Sequence, residues 1–166
     1  MILSPIKNMS LTSIEQTAQL LKDKKNILIT FRKDGAGDAV ASAAALLSFF
    51  ERQNKVADVV CSDFALADNF RFLKNADKIK PGFAYLQKFI ISLDTEKTGV
   101  QELSYDLKDN RLRIFITPKQ GYLQRDNIRT AQSEFRYDLI FVLNSPDLTS
   151  LGSIYENNTD LFYKTP

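Results

Sequence analysis

Residues 26–61 are the part of this sequence that most restricts what it can fold into. Asn26-Ile-Leu-Ile-Thr-Phe31 is a compact apolar and β-branched run, the pattern of a strand buried on both faces. A polar loop with two glycines, Arg32 to Gly37, leads directly into Asp38–Phe50, which is rich in alanine and free of Gly and Pro. That composition predicts a helix, and its small residues let it lie close to a sheet. Val56 to Cys61 then predicts a second strand, parallel to the first. Strand, crossover helix and strand form a βαβ unit, so the expected class is α/β with a mainly parallel sheet in three α/β/α layers.

Other segments fit around this unit. Thr12 and Glu15 have the spacing of a capping box, and Ile14, Ala18 and Leu21 repeat on one face, which predicts a helix over about 13–22. Phe70, Phe72 and Leu73 predict a short helix, and Lys88–Leu93 a strand. Leu103, Tyr105 and Leu107 alternate, as do Leu112, Ile114 and Ile116, with Asp109-Asn110 between them. This predicts a β-hairpin at about 100–118, inserted into one domain spanning 1–166. Gln120–Glu134 has little periodicity and is expected to be loop, with at most a helical turn. Leu139–Leu143 predicts another buried strand, with a helix following from Asp147 and no closing helix over Leu161–Tyr163.

Composition then removes whole classes of chemistry. Among 166 residues there is no histidine and one cysteine, Cys61. No Ser-His-Asp triad, Cys-His nucleophile or imidazole-ligated metal can be built, nor an intrachain disulfide or a thiolate zinc site. Cys61, in a buried strand, is expected to be inert core. The net charge of +2 is scattered; Lys22, Lys24 and Lys25 form the densest basic cluster, which fits a solvated helix end. Met1–Ser10 lacks the apolar stretch of a signal peptide, and the longest strongly apolar run, Ala39–Phe50, is too short to span a bilayer. A cytoplasmic protein without membrane partners is expected.

Ligands of open α/β sheets sit at the carboxyl ends of the strands, which directs attention to 32–38 and 144–147. In the first segment, Gly35 and Gly37 permit close backbone approach, and the helix that follows presents free N–H groups to an anion such as phosphate. Ser42, about one turn in, could donate to the same anion. The alternative is that Asp38 caps its helix and the glycines only make the turn. Arg32 and Lys33 are further phosphate candidates, and Phe49, Phe50, Phe70 and Phe72 could stack on bases or fill the core. Asp147 has the position of a helix cap.

Two families share residues with these segments. Gly35-Ala-Gly-Asp38 resembles the core of the ribokinase-like sugar-kinase signature, whose Asp is the catalytic base, although Arg32-Lys33-Asp34 stands in place of its Asp-Thr-Thr lead-in. The fuller resemblance is to the DHH phosphoesterases of the nanoRNase and single-strand exonuclease branch. Leu20–Ser62 is similar to their helix, strand, His-x-x-x-Asp-x-Asp loop, small-residue helix and strand. Tyr137-Asp-Leu-Ile-Phe-Val-Leu-Asn-Ser-Pro-Asp-Leu-Thr-Ser-Leu-Gly152 resembles their second motif. The likeness covers about residues 12–62 and 137–166.

Carried over by position, that resemblance puts the family's metal-binding His on Arg32, its first Asp on Ala36, its second on Asp38 and its late-strand Asp on Asn144. Its Asp-His-His triplet would follow Pro166, so the chain is expected to be incomplete. In the family these groups hold two Mn²⁺ or similar ions that activate water toward phosphate esters. Asp38 is the one metal ligand retained here, and it is too little charge for two divalent ions. No cofactor is therefore expected for this chain, with Mn²⁺ or Mg²⁺ belonging to a complete active protein. The resemblance implies nucleotide or short-oligonucleotide partners and a domain without catalysis of its own, or a nucleotide-binding or assembly module; oligomerisation is open. Two readings of the altered positions stand side by side: Arg32 pairs with Asp38 where metal would sit, or the positions have drifted to residues with no new role.

Overall fold

The computed structural model describes residues 12–166 except 33 and 36. Its chain divides into two compact units, one formed by Met1–Leu86 with Phe135–Pro166, the other by Gln87–Glu134.

The first unit is built on β1 (Asn26–Phe31), which lies between β2 (Val56–Val60) and β7 (Leu139–Leu143), both parallel to it. Alternation along β1 produces the layers. Ile27, Ile29 and Phe31 point into a core with Ala39, Val40, Ala43, Leu47 and Phe50 of α2 (Gly37–Arg52). Leu28 points the other way, into a second core with Leu151, Ile154 and Leu161. The α/β class expected from the sequence is the class observed. Asp138 aligns β7 with β1: its carboxylate accepts from the Lys25 and Asn26 amides at 2.9 and 3.0 Å, and its own N–H donates to Asn26 O at 2.9 Å. Lys80 closes the outer edge of β2 through a bridge to Val60, and Pro166 O accepts from Ile140 N on the outer edge of β7. Both free edges are thus partly covered, which limits pairing with other chains.

Helix α1 (Ser13–Lys22) has the expected capping box, with Thr12 and Glu15 bonded reciprocally. It buries no residue fully, and Leu21 alone of its apolar face packs partly against the core. Lys55 fastens its end: the ammonium donates to Leu21 O at 2.7 Å and also to Lys24 O. A cation on these last carbonyls offsets the helix dipole.

The second unit contains β3 (Phe89–Leu93) antiparallel to β6 (Ile128–Gln132), and β4 (Glu102–Lys108) antiparallel to β5 (Arg111–Thr117). The hairpin turn Asp109-Asn110 has φ of 52° and 57°. Positive φ at both central residues is the type I′ turn, whose twist matches the flanking strands and which Asp and Asn tolerate.

Four expectations are corrected. Gln120–Glu134 is not simply loop: it holds β6, which owes its form to pairing with β3 rather than to its own weak pattern. No continuous helix follows Asp147; a 3₁₀ turn at Thr149–Leu151 is followed by α3 (Ser153–Glu156), broken between by Gly152 with φ 59° and ψ −137°. A closing helix does exist, α4 (Thr159–Lys164), held by fully buried Leu161. The short helix expected near Phe72 is a 3₁₀ turn at Asp68–Phe70.

Thr30 marks a weak point in the second core. It is fully buried, and its hydroxyl has no hydrogen-bond partner among the described residues. An unsatisfied hydroxyl in such a site costs about 1–3 kcal/mol. Thr30→Val, nearly the same shape, is therefore expected to raise stability by about 1 kcal/mol in urea unfolding; a loss of that size would mean the hydroxyl is bonded.

Candidate functional site

The strand register brings the two motif loops together. Phe31 of β1 is paired with Leu143 of β7, so Arg32 and Asn144 leave neighbouring parallel strands at the same end of the sheet. The chain passes from β1 to β2 on one side, while β7 lies on the other, so the order β2-β1-β7 places a topological switch at β1. Asn144 is exposed and left-handed, with φ 47°, a conformation Asn adopts more readily than most residues.

Arg32 does not meet Asp38. Its guanidinium forms a bidentate pair with Asp34, Nε to Oδ1 at 2.7 Å and Nη2 to Oδ2 at 2.8 Å. The cause is local: Gly35 N donates to Arg32 O at 2.8 Å, closing a tight turn that brings position 34 back beside position 32. Asp38 instead stands exposed in the first turn of α2, where a carboxylate suits the helix dipole. Lys33 and Ala36 lie outside the described residues.

Each glycine has a packing reason of its own. A Cβ on Gly35 would lie 2.8 Å from Arg32 O, so the turn itself excludes a side chain. A Cβ on Gly37 would lie 2.5 Å from the Phe70 ring, so that glycine makes room for a phenyl group. Ser42 is exposed and outside the buried stripe of α2. Asp147 caps the 3₁₀ turn, accepting from Ser150 N and Thr149 Oγ1, each at 2.8 Å. Those bonds, Thr149 first, hold its carboxyl below the usual range. Cys61 is fully buried, as is Phe50, whereas Phe72 is exposed.

Beside the loop is a cavity of about 260 Å³, lined chiefly by Phe31, Val40, Phe64 and Phe70, with Gly35 and Gly37 on its wall and Asp63 at its margin. Phe64 stands edge-on to Phe31, ring centroids 6.0 Å apart. The sequence pattern did not single out Asp63 or Phe64 as site residues, although the loop after β2 opens at the same sheet end and the carboxyl-end rule reaches it.

The residues present do not fit a two-metal centre. Position 144 carries a neutral amide, position 36 a methyl group and position 32 a cation. Among the described residues no three of His, Cys, Asp and Glu gather closely enough to hold a metal ion. No family model, curated protein or solved structure matches this chain.

Proposed function

We propose that the chain is a DHH-phosphoesterase-like domain whose site binds a phosphorylated nucleoside without hydrolysing it. The observation that carries this reading is the pairing of Phe31 with Leu143, which sets Arg32 and Asn144 side by side at the switch point. Arg32 uses two nitrogens on Asp34 and keeps further N–H donors for an anion, and the Asn144 amide adds a neutral donor. The adjoining cavity, walled by phenyl rings and one carboxylate, has the size and polarity for a flat heterocycle. A cation in place of the family's histidine, and a methyl group and an amide in place of two of its carboxylates, favour phosphate and disfavour divalent metal.

The test is calorimetric titration of the full chain with 5′-AMP and with inorganic phosphate, each with and without Mn²⁺. Phosphorus NMR of the dinucleotide pApA follows cleavage. AMP is expected to bind without Mn²⁺ and more tightly than phosphate, while pApA stays intact. Arg32→Ala and Asn144→Ala should each weaken AMP by about tenfold, the worth of one charge-assisted hydrogen bond. Mn²⁺-dependent cleavage of pApA, or no binding of AMP, would overturn the proposal.

A further inference from the structure

We infer that the β4–β5 hairpin is a dimerisation element that packs face to face with the same hairpin of a second copy of this chain. Three cross-strand pairs occupy one face of the ribbon: Leu103 with Ile116, Tyr105 with Ile114 and Leu107 with Leu112. Every one of these residues is aliphatic or aromatic. The intervening pairs, Glu102 with Thr117, Ser104 with Phe115, Asp106 with Arg113 and Lys108 with Arg111, lie on the opposite face. There the Arg113 guanidinium is bonded bidentately to Asp106, at 2.7 and 2.8 Å. All the charges of the two strands thus lie on that reverse face, together with one half-exposed ring, Phe115.

The apolar face is open. Leu103, Tyr105 and Leu107 are 65%, 75% and 74% exposed, and Leu112 and Ile114 are 59% and 44% exposed. At roughly 200 Å² for a large apolar residue, these five leave about 600 Å² uncovered. A two-stranded ribbon is marginal in water by itself and needs further strands or a packed face. Two such faces in contact would bury about 1,200 Å² together, the lower bound of a specific protein interface. A second copy is the occupant that fits. The face carries no charge to select a partner of opposite sign, and an uncharged patch of paired Leu, Ile and Tyr is complementary to itself about a two-fold axis. No charge would be desolvated on closure. Stacking also stops at two, because the reverse face is charged and the flanking Lys and Arg discourage edge-to-edge growth.

Sedimentation velocity on the full chain is the test, run over a dilution series. A monomer–dimer equilibrium is expected, and Leu107→Lys should raise its dissociation constant by about 30-fold or more, because it puts an unpaired charge into a face that is otherwise wholly apolar. The hairpin should fold in this variant, because position 107 is exposed and its backbone pairing is untouched. Glu102→Gln, on the charged face, should leave the equilibrium unchanged. Amide hydrogen exchange in the unaltered protein gives a second readout: residues 102–117 should exchange more slowly as concentration rises. A monomer at every concentration, association unaffected by Leu107→Lys, or concentration-independent exchange of the hairpin would each overturn the inference.

Discussion

Phe50→Ala is expected to destabilise the α/β unit by about 3–5 kcal/mol, the cost of removing a buried aromatic ring and leaving most of its cavity. Phe50 is fully buried in the last turns of α2. Its ring lies 5.5 Å from that of Phe141 on β7 and 5.3 Å from that of Phe49. It therefore joins the crossover helix to the strand on the far side of β1. Phe50→Leu, which keeps most of the volume, should cost less than half as much. Phe72→Ala, at a ring 81% exposed, should change stability by no more than about 0.5 kcal/mol. Urea unfolding followed by circular dichroism separates the three. Equal losses in Phe50→Ala and Phe72→Ala would show that α2 is not anchored through this ring.

The next largest effect is expected at Asp58 on β2. One of its carboxylate oxygens accepts from the Tyr137 hydroxyl at 2.9 Å and from Arg136 Nη2 at 2.7 Å. The guanidinium also lies over the Tyr85 and Tyr137 rings, 4.9 and 5.4 Å from their centroids. Asp58→Ala strands a buried phenol and a partly buried cation, and about 2–3 kcal/mol should be lost, less than a fully buried pair because solvent reaches both charges. The same contact makes a prediction about pH. Burial, and then the negative carboxylate of Asp58, push the Tyr137 hydroxyl above its ordinary value of 10.0. The folded protein thus holds this proton more tightly than the unfolded chain. Its contribution to stability is complete below about pH 10 and falls as the pH rises beyond that. Tyr137→Phe should flatten the alkaline loss of stability between pH 9 and about 11, and an unchanged slope would mean that Tyr137 is not the group responsible.

How much was legible follows from where each signal resides. The βαβ unit could be read because strand and helix patterns there are local and unbroken, and because alanine marks the close-packed face of α2. The hairpin could be read from two alternating runs around Asp109-Asn110. The adjacency of β7 to β1 could not, since it joins residues more than a hundred positions apart. β6 was hidden for the same reason: Ile128-Arg-Thr-Ala-Gln132 becomes a strand through β3. At the site, position and residue type were visible, but partner choice was not. Arg32 faces two carboxylates in the sequence, and the turn closed by Gly35 decides for Asp34. The placement of Phe70 over Gly37 depends on the path of the loop after β2, which no local pattern encodes.

The hydrogen bond from Arg136 N to Leu86 O, 2.8 Å long, has a consequence for how the molecule reaches its fold. It ties together the points where the chain leaves and re-enters the α/β unit around residues 87–134. Pairing β1 with β7 must close a loop of 112 residues, measured from Asn26 to Asp138, and such closures are slow. The ribbon between, whose ladders can zip outward and inward from a two-residue turn, can form early and draw its own ends together. The remaining search is then shorter by the whole length of that ribbon. The ribbon can also be lengthened, shortened or exchanged in evolution without altering the register of the parallel strands.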